Sequence, residues 1–99
     1  MLDVRRMVLL AAVIDSGSMT AAAEALNYTT SAVSQQHRRL EQEVGQPLLQ
    51  RLPRGIAPTE AGVVLADHAR RVTRQLAAAQ ADLAQVAGLR RGELTIATF

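Results

Sequence analysis

Apolar residues recur with helical spacing near the start of the chain. Met7, Leu10, Ala11 and Ile14 fall at positions i, i+3, i+4 and i+7. This spacing places them on one side of a helix, because an α-helix makes a turn every 3.6 residues. The sequence therefore predicts a first helix from about Asp3 to Asp15 with one buried face.

Cap and turn residues divide the following segment into two more helices. Gly17 suits the left-handed conformation that ends a helix, and Ser18 can cap a short second helix over residues 19–26. Asn27-Tyr28 then forms a tight turn. A third helix is predicted to follow over about residues 30–44.

The third helix separates apolar from polar residues. It is capped by Thr29 or Thr30, it ends at Gly45, and Pro47 prevents its continuation. Four residues cluster within about 40° of each other on one side of the helix: Val33, His37, Leu40 and Val44. The opposite side carries hydroxyls, amides and a guanidinium, with no carboxylate: Ser31, Ser34, Gln35, Arg38 and Gln42.

The pattern then changes to two short apolar segments and one long helix. Residues 48–52 and 56–58 flank Pro53-Arg54-Gly55, which predicts a small β-hairpin with Arg54 at its tip. Thr59 can cap a fourth helix that runs without a breaker to about residue 87, where Gly88 is expected to end it.

Composition excludes several classes of chemistry. The chain has no cysteine, which excludes disulfides and thiolate metal sites.

No signal peptide or membrane-spanning stretch is recognisable, so a cytoplasmic location without membrane contact is expected. His37 and His68 fall on different helices, and no glycine-rich phosphate loop exists. We therefore expect no enzyme, no metal site and no cofactor in this part of the protein.

Charge adds one observation. All eleven basic side chains are arginine, and residues 27–58 carry four of them against two glutamates. The planar fork of arginine suits phosphate and guanine, which favours a nucleic-acid partner. A base-composition bias of the genome would produce the same preference for arginine.

The outer face of the third helix has the side chains that read a DNA major groove. Gln pairs with adenine, Arg pairs with guanine, and Ser or Thr bonds to bases or phosphate. An ordinary amphipathic helix would present a similar face to solvent. The short capped helix before it and the hairpin after it form a helix-turn-helix pattern with a wing, which favours DNA. Arg54 would then enter a minor groove or lie against the backbone.

Four segments together resemble the LysR-type family of bacterial transcription regulators. Residues 17–26 are similar to its Gly-Ser-aromatic-Thr-x-Ala-Ala-x-x-Leu segment, 31–45 to its recognition helix, and 48–51 and 59–62 to its wing and linker. Each motif is loose, but their order and spacing over about residues 2–97 are specific. The resemblance implies a mainly α fold: a winged helix-turn-helix of three helices plus a two-stranded wing, with a long C-terminal linker helix.

The resemblance also implies three parts. Residues 1–58 would be the DNA-binding domain, 59–91 the linker and dimerisation helix, and 92–99 the start of an effector-binding domain, with Glu93–Ala97 as its first strand. A longer protein is therefore expected, with a small-molecule effector bound by the C-terminal domain and a tetramer as the assembly. A second possibility keeps the fold but changes the class of effector, because molybdate-responsive regulators have a similar DNA-binding head. The alternative from a different functional class is a helical interaction module that never touches DNA.

The family pattern assigns contacts to double-stranded promoter DNA by position. The base-reading residues would be Thr30, Ser31, Ser34, Gln35 and Arg38. The contacts to the DNA backbone and from the wing would come from Ser18, Thr20, Arg39, Arg51, Arg54 and Thr59.

This chain departs from the family pattern within the third helix. The family often has Gln-Pro where Thr30-Ser31 stand, Arg where Gln35 stands, and an aliphatic residue where His37 stands. We expect the operator contacts to differ from those of well-known members, with Gln35 favouring adenine. His37 is interpreted as a core residue.

A regular apolar stripe follows the fourth helix in steps of four and three residues. Its members are Leu65, Ala69, Val72, Leu76, Ala79, Leu83 and Val86. The stripe predicts a homodimer through paired linker helices, which would present two recognition helices to a pseudo-palindromic site. A stripe that only covers its own domain is the alternative, but three short helices cannot cover so long a helix.

Overall fold

The fold is a winged helix-turn-helix with a long C-terminal helix, as the sequence predicted. The computed structural model describes the backbone of residues 1–98 and the side chains of residues 1–89. Its elements follow the chain in this order: α1 (Val4–Ser16), α2 (Met19–Leu26), α3 (Thr30–Val44), β1 (Leu49–Arg51), β2 (Ile56–Pro58) and α4 (Glu60–Thr98).

Side-chain caps fix where the three short helices begin. The Asp3 carboxylate accepts from Arg5 N at 2.9 Å, Ser18 Oγ accepts from Ala21 N at 3.2 Å, and Thr29 Oγ1 accepts from Ala32 N at 3.0 Å. Each bond satisfies a backbone N–H that has no partner within the helix. The cap of α3 is therefore Thr29, which decides between the two threonines that the sequence left open.

Helix α1 lies at the centre of the domain and is buried on more than one face. The predicted face (Met7, Leu10, Ala11 and the partly buried Ile14) packs against Leu40, Leu48 and α4. Leu9 and Val13 are also buried, in a second cluster with Ala22, Ala23 and Val33. The prediction of one buried face was too narrow, because α2 and α3 cover one side of α1 while α4 covers another.

The wing is a two-stranded antiparallel sheet in which Leu49 pairs with Pro58 and Arg51 pairs with Ile56. Thr59, which precedes α4, joins the base of the wing to that helix through one backbone bond and one side-chain bond. Thr59 N donates to Leu48 O at 3.0 Å, and Thr59 Oγ1 donates to Pro47 O at 2.8 Å. The same hydroxyl accepts from Gly62 N at 3.1 Å, so Thr59 caps α4 as the sequence predicted.

The first turns of α4 belong to the core of the domain. Ala66 and Ala69 are each 1% exposed and pack in the cluster that contains Leu10 of α1. Leu65 is partly buried against the same cluster. Ala69 was predicted to lie in a dimer surface, and that assignment is wrong, because its small side chain lets α1 approach α4 closely and cover it.

Helix α4 also extends further than predicted. It does not end at Gly88, because a glycine within a helix costs only about 1 kcal/mol relative to alanine. The bounds of α4 include residues 93–97, where a strand was predicted. An isolated strand leaves its backbone groups without partners, whereas a helix bonds its own. The division of the chain at residue 92 stays a prediction.

Candidate nucleic-acid interface

Helix α3 presents a polar face to solvent. Val33 and Leu40 are fully buried, and His37 is 9% exposed, so the predicted inner face packs into the domain. On the other side Thr30, Ser31, Gln35, Arg38 and Arg39 are exposed, and Ser34 is half-buried. The five predicted base-reading residues therefore share the solvent side of one helix.

One contact on this face orients a guanidinium. Arg38 Nη1 donates to Ser34 Oγ at 3.0 Å, one turn earlier along the helix. The bond draws the long side chain back toward the start of α3. It leaves the other guanidinium N–H groups of Arg38 available, since arginine has five donors.

A cleft of about 450 Å³ joins the start of α2 to α3 and the wing. We call it the α2 cleft. It collects predicted contact residues from three elements, together with apolar and glycine neighbours. Its lining consists of Gly17, Ser18, Met19, Thr20, Thr30, Ser34, Arg51, Leu52, Gly55 and Ile56. Hydroxyls, the N-terminus of α2 and one arginine thus surround a space that is open to solvent.

A second cleft, of about 240 Å³, lies between α3 and the wing. We call it the wing cleft. It shares four lining residues with the α2 cleft, so the two adjoin along one surface: Met19, Ser34, Arg51 and Ile56. Its lining consists of Met19, Ser34, His37, Arg38, Glu41, Leu49, Gln50, Arg51 and Ile56.

Arginines outnumber carboxylates along this surface, and the carboxylates of α3 bond to groups other than Arg38 and Arg51. Arg6 of α1 bonds to the Glu43 carboxylate and to Gln36 Oε1. Glu41 Oε2 accepts from Leu48 N at 2.7 Å and lies 3.1 Å from His37 Nε2. Among the described residues, no ion pair involves the arginines of residues 27–58: Arg38, Arg39, Arg51 and Arg54.

Sequence reasoning missed the roles of Glu41 and Gln50. Glu41 holds the start of the wing through Leu48 N, and Gln50 lines the wing cleft while its amide donates to Pro58 O at 3.3 Å. The sequence feature that could have indicated the role of Glu41 is its position near the end of α3, seven residues before a leucine that is buried in the structure. The spacing of residues did not indicate a role for Gln50. Strand β1 has only three residues, and its two faces are polar or partly covered, so no alternating pattern distinguishes one face from the other.

The wing tip is fixed by a glycine. Leu52 N donates to Gly55 O at 3.0 Å, which closes the turn that carries the exposed Arg54. Gly55 has a φ of 88°, and a Cβ there would lie 3.3 Å from Gly17 O. Only glycine suits both the positive φ and this close approach. The tip therefore sits beside the α1–α2 turn, with Arg54 at the edge of the surface.

The structure does not bring Thr59 together with the other predicted contacts. Its hydroxyl lies at the base of the wing, where it bonds to Pro47 O and Gly62 N. His37 lies in the interior as expected, but only one of its ring nitrogens has a partner. Its Nδ1 is buried without a hydrogen bond.

The described residues contain neither a membrane-spanning helix nor a cluster of metal ligands. No helix in this part of the chain is long and apolar enough to cross a membrane. No group of three or more His, Cys, Asp or Glu side chains in the same residues is arranged to hold a metal ion.

The fold and the polar face of α3 can be compared with known proteins. Residues 4–63 match the family model described as a bacterial regulatory helix-turn-helix protein of the lysR family. The chain belongs to the LysR family. The resemblance drawn from its motifs is therefore confirmed, and the match covers α1, α2, α3, the wing and the first turn of α4.

Curated LysR-family relatives match over nearly the whole chain. The nitrogen assimilation regulatory protein nac of Klebsiella aerogenes is 42% identical over 95 residues, which cover 96% of this chain and 31% of that protein. The transcriptional regulator LysG of Mycobacterium bovis is 42% identical over 96 residues, covering 97% and 31%. The chain thus spans less than a third of the length of these relatives.

A solved structure of a LysR-type domain with DNA has the same fold. The DNA-binding domain of BenM, crystallised with catB site 1 DNA, aligns with a TM-score of 0.82 and 26% identity. The alignment covers 87% of this chain and 97% of that one. The winged helix-turn-helix predicted from the sequence is therefore the DNA-binding domain fold of this family.

Proposed function

We propose that this chain binds double-stranded promoter DNA with sequence specificity, with α3 in the major groove and Arg54 in a minor groove or on the backbone. The observation that carries the proposal is the outer face of α3. It presents Ser31, Gln35 and Arg38 to solvent with no carboxylate among them. Hydroxyl, amide and guanidinium groups at this spacing match the donors and acceptors that base edges display.

The residues around this face divide into two roles. Thr30, Ser31, Ser34, Gln35 and Arg38 would read bases. The α2 cleft would hold a backbone phosphate between Arg51 and the start of α2, where Ser18 and Thr20 lie. A helix N-terminus supplies N–H donors and positive potential for such an anion. Arg39 would add a flanking phosphate contact, whereas Thr59 has less support because its hydroxyl is used within the fold.

The relatives favour regulation of transcription over catalysis. The matching curated proteins are named as regulators, and BenM is seen with a DNA site. We infer that this chain acts by binding DNA and catalyses no reaction, with the cytoplasm as its location.

Helix α4 supports a homodimer. Beyond Val72 the helix leaves the domain, and the rest of the apolar stripe is exposed to solvent: Leu76, Ala79, Leu83 and Val86. Leu83 is 69% exposed, and together these side chains form an exposed apolar row of the kind that marks an interaction surface. Pairing of two α4 helices through this stripe would place two copies of α3 on two half-sites of a pseudo-palindrome.

The activity of a full-length protein is a further part of the proposal. The matching relatives are about three times as long as this chain. In a protein of that length a small-molecule effector would bind a C-terminal domain, and two dimers would form a tetramer.

The test is fluorescence-anisotropy binding at two salt concentrations. One labelled duplex carries the promoter DNA that flanks the chain's own coding region, and the other carries the same bases in scrambled order. We expect tighter binding to the promoter duplex, and we expect the preference to persist at the higher salt concentration. Contacts to phosphate weaken steeply with salt, whereas contacts to bases supply the difference between the two duplexes.

Two other outcomes would count against the proposal. Equal and salt-labile binding to both duplexes would show attraction to the DNA backbone without recognition of that promoter. Absence of binding to either duplex would favour a helical interaction module that uses the stripe on α4 and never touches DNA.

A further inference from the structure

Three charged side chains line the wing cleft, Arg38, Arg51 and Glu41, and among the described residues the carboxylate forms an ion pair with neither arginine. Arg38 and Glu41 both line it, and they are three residues apart on α3, a separation at which opposite charges on a helix are neighbours. Among the described residues no ion pair joins them, and Arg38 donates to Ser34 Oγ instead. The carboxylate of Glu41 is therefore turned away from the guanidinium of Arg38.

Two nitrogen atoms lie against that carboxylate, one at the base of the wing and one on the inner side of α3. Leu48 N donates to Glu41 Oε2 at 2.7 Å, and His37 Nε2 lies 3.1 Å from the same oxygen. Leu48 is fully buried and His37 is 9% exposed, whereas Arg38 lies on the exposed side. The carboxylate is therefore drawn toward the core and the base of the wing.

The surroundings of His37 indicate which ring nitrogen carries the proton. Its Nδ1 is buried and has no hydrogen-bond partner. A hydrogen on Nδ1 would be a buried donor without an acceptor, while Nε2 would face the carboxylate with a lone pair. The tautomer with hydrogen on Nε2 avoids both problems, so His37 acts as a donor to Glu41.

We propose that His37 is a positioning residue for Arg38. By donating Nε2–H to Glu41, it holds the one carboxylate that lines the wing cleft away from the guanidinium, so that Arg38 stays available to guanine. The inference rests on the proposed function, because Arg38 must read a base for its position to matter. An aliphatic side chain at residue 37 would fill the same space without supplying the donor.

The experiment starts by identifying the base pair that Arg38 reads. The unaltered 99-residue chain is used to select a preferred duplex from a random library. Binding is then measured to a panel of duplexes that each carry one changed base pair. The base pair at which Arg38→Ala removes discrimination is the one assigned to Arg38.

His37→Leu removes the donor, and His37→Gln keeps an N–H at a similar reach. We expect His37→Leu to reduce discrimination at the Arg38 base pair by about threefold to tenfold, because Glu41 then competes for the guanidinium. His37→Gln should keep discrimination near that of the unaltered chain. In an Arg38→Ala background, His37→Leu should cause no further loss at that base pair.

A double variant separates positioning from a general effect on the fold. His37→Leu/Glu41→Gln still lacks the histidine, but residue 41 no longer carries a charge that attracts Arg38. We expect it to recover discrimination at the Arg38 base pair. A purely structural role of His37 would not be repaired by this second change. If His37→Leu loses its helical circular-dichroism signal, His37→Met takes its place as a more adaptable apolar side chain.

The results that overturn the inference are distinct from those that overturn the proposed function. If the unaltered chain discriminates among the duplexes but His37→Leu leaves the Arg38 base pair unaffected, the inference is wrong and the proposed function stands. The same holds if His37→Leu weakens binding equally at every base pair. If the unaltered chain discriminates at no base pair, both are wrong.

Discussion

Gly62 of α4 lies directly against the backbone of Leu48, at the point where the wing begins. A Cβ on Gly62 would overlap the Leu48 carbonyl oxygen and would lie 3.0 Å from its carbon and 3.3 Å from Pro58 Cβ. The carbonyl cannot move away easily, because it accepts the bond from Thr59 N. The junction of α4 with the wing therefore requires a residue without a side chain.

We predict that Gly62→Ala lowers the free energy of unfolding by about 1–3 kcal/mol, since the added methyl forces backbone apart in a packed site. Gly88→Ala is the matched control. It lies on the same helix with no atom within 4 Å of its added Cβ, so it should be neutral or slightly stabilising. Urea denaturation followed by circular dichroism measures both, and equal effects would contradict the close approach.

Thr29 and Thr30 give a second matched pair. Thr29→Ala removes the hydroxyl that accepts from Ala32 N, and we expect a loss of about 1 kcal/mol in stability. Thr30→Ala changes an exposed residue at the first position of α3 and should have little effect on stability. Thermal unfolding of the two variants shows which threonine caps α3. A larger loss of stability for Thr30→Ala would mean that Thr30 is the cap and that Thr29 is not.

The bond from Leu48 N to Glu41 predicts an asymmetry between two changes at residue 41. Glu41→Ala leaves Leu48 N and His37 Nε2 without their acceptor, at a cost of about 1–3 kcal/mol in unfolding free energy. Glu41→Gln keeps an amide oxygen as acceptor and should lose clearly less. Chemical denaturation compares them, and equal losses would show that the charge rather than the acceptor matters.

Arg38 and Arg54 should fail in different ways when each is changed to alanine. Loss of Arg38 is expected to cost about 1–3 kcal/mol of binding, mostly at one base pair. Loss of Arg54 should weaken binding to all duplexes and reduce the slope of log K against log salt by about 0.9. Anisotropy titrations over a salt series measure both, and a loss confined to one base pair for Arg54 would contradict its assignment.

The stripe on α4 predicts that one charge will dissociate the dimer. Leu83→Asp places a carboxylate in the exposed stripe, and we expect dimers to become monomers at micromolar concentration. Gln85→Asp puts the same charge on an exposed position outside the stripe and should leave the dimer intact. Sedimentation equilibrium distinguishes the two, and a monomeric unaltered chain would remove the basis for the dimer.

Local signals carried much of this fold. Caps such as Ser18 and the break at Gly45 located the helices, because these residues act on the backbone next to them. Helical periodicity also separated Val33 and Leu40 from the polar face of α3. These features depend on neighbours in the sequence, so one sequence is enough to find them.

The errors came from contacts between distant parts of the chain. The heptad spacing of Ala69 with Leu76 gives no sign that α1 covers the first and leaves the second exposed. Similarly, the bond between Glu41 and Leu48 N joins the end of α3 to the wing in a way that no motif records. Whether α4 ends at Gly88 depended on the hydrogen-bond partners of the backbone that follows it. That backbone had no better partners than the groups of its own helix, so the helix continues.

The burial of Ala66 and Ala69 beneath α1 also has a mechanical meaning. A helix whose first turns form part of a hydrophobic core cannot pivot at its junction with the domain without opening that core. Helix α4 and the rest of the domain therefore move as one rigid body. In the proposed complex with DNA, a displacement at the far end of α4 would rotate α3 relative to the bases.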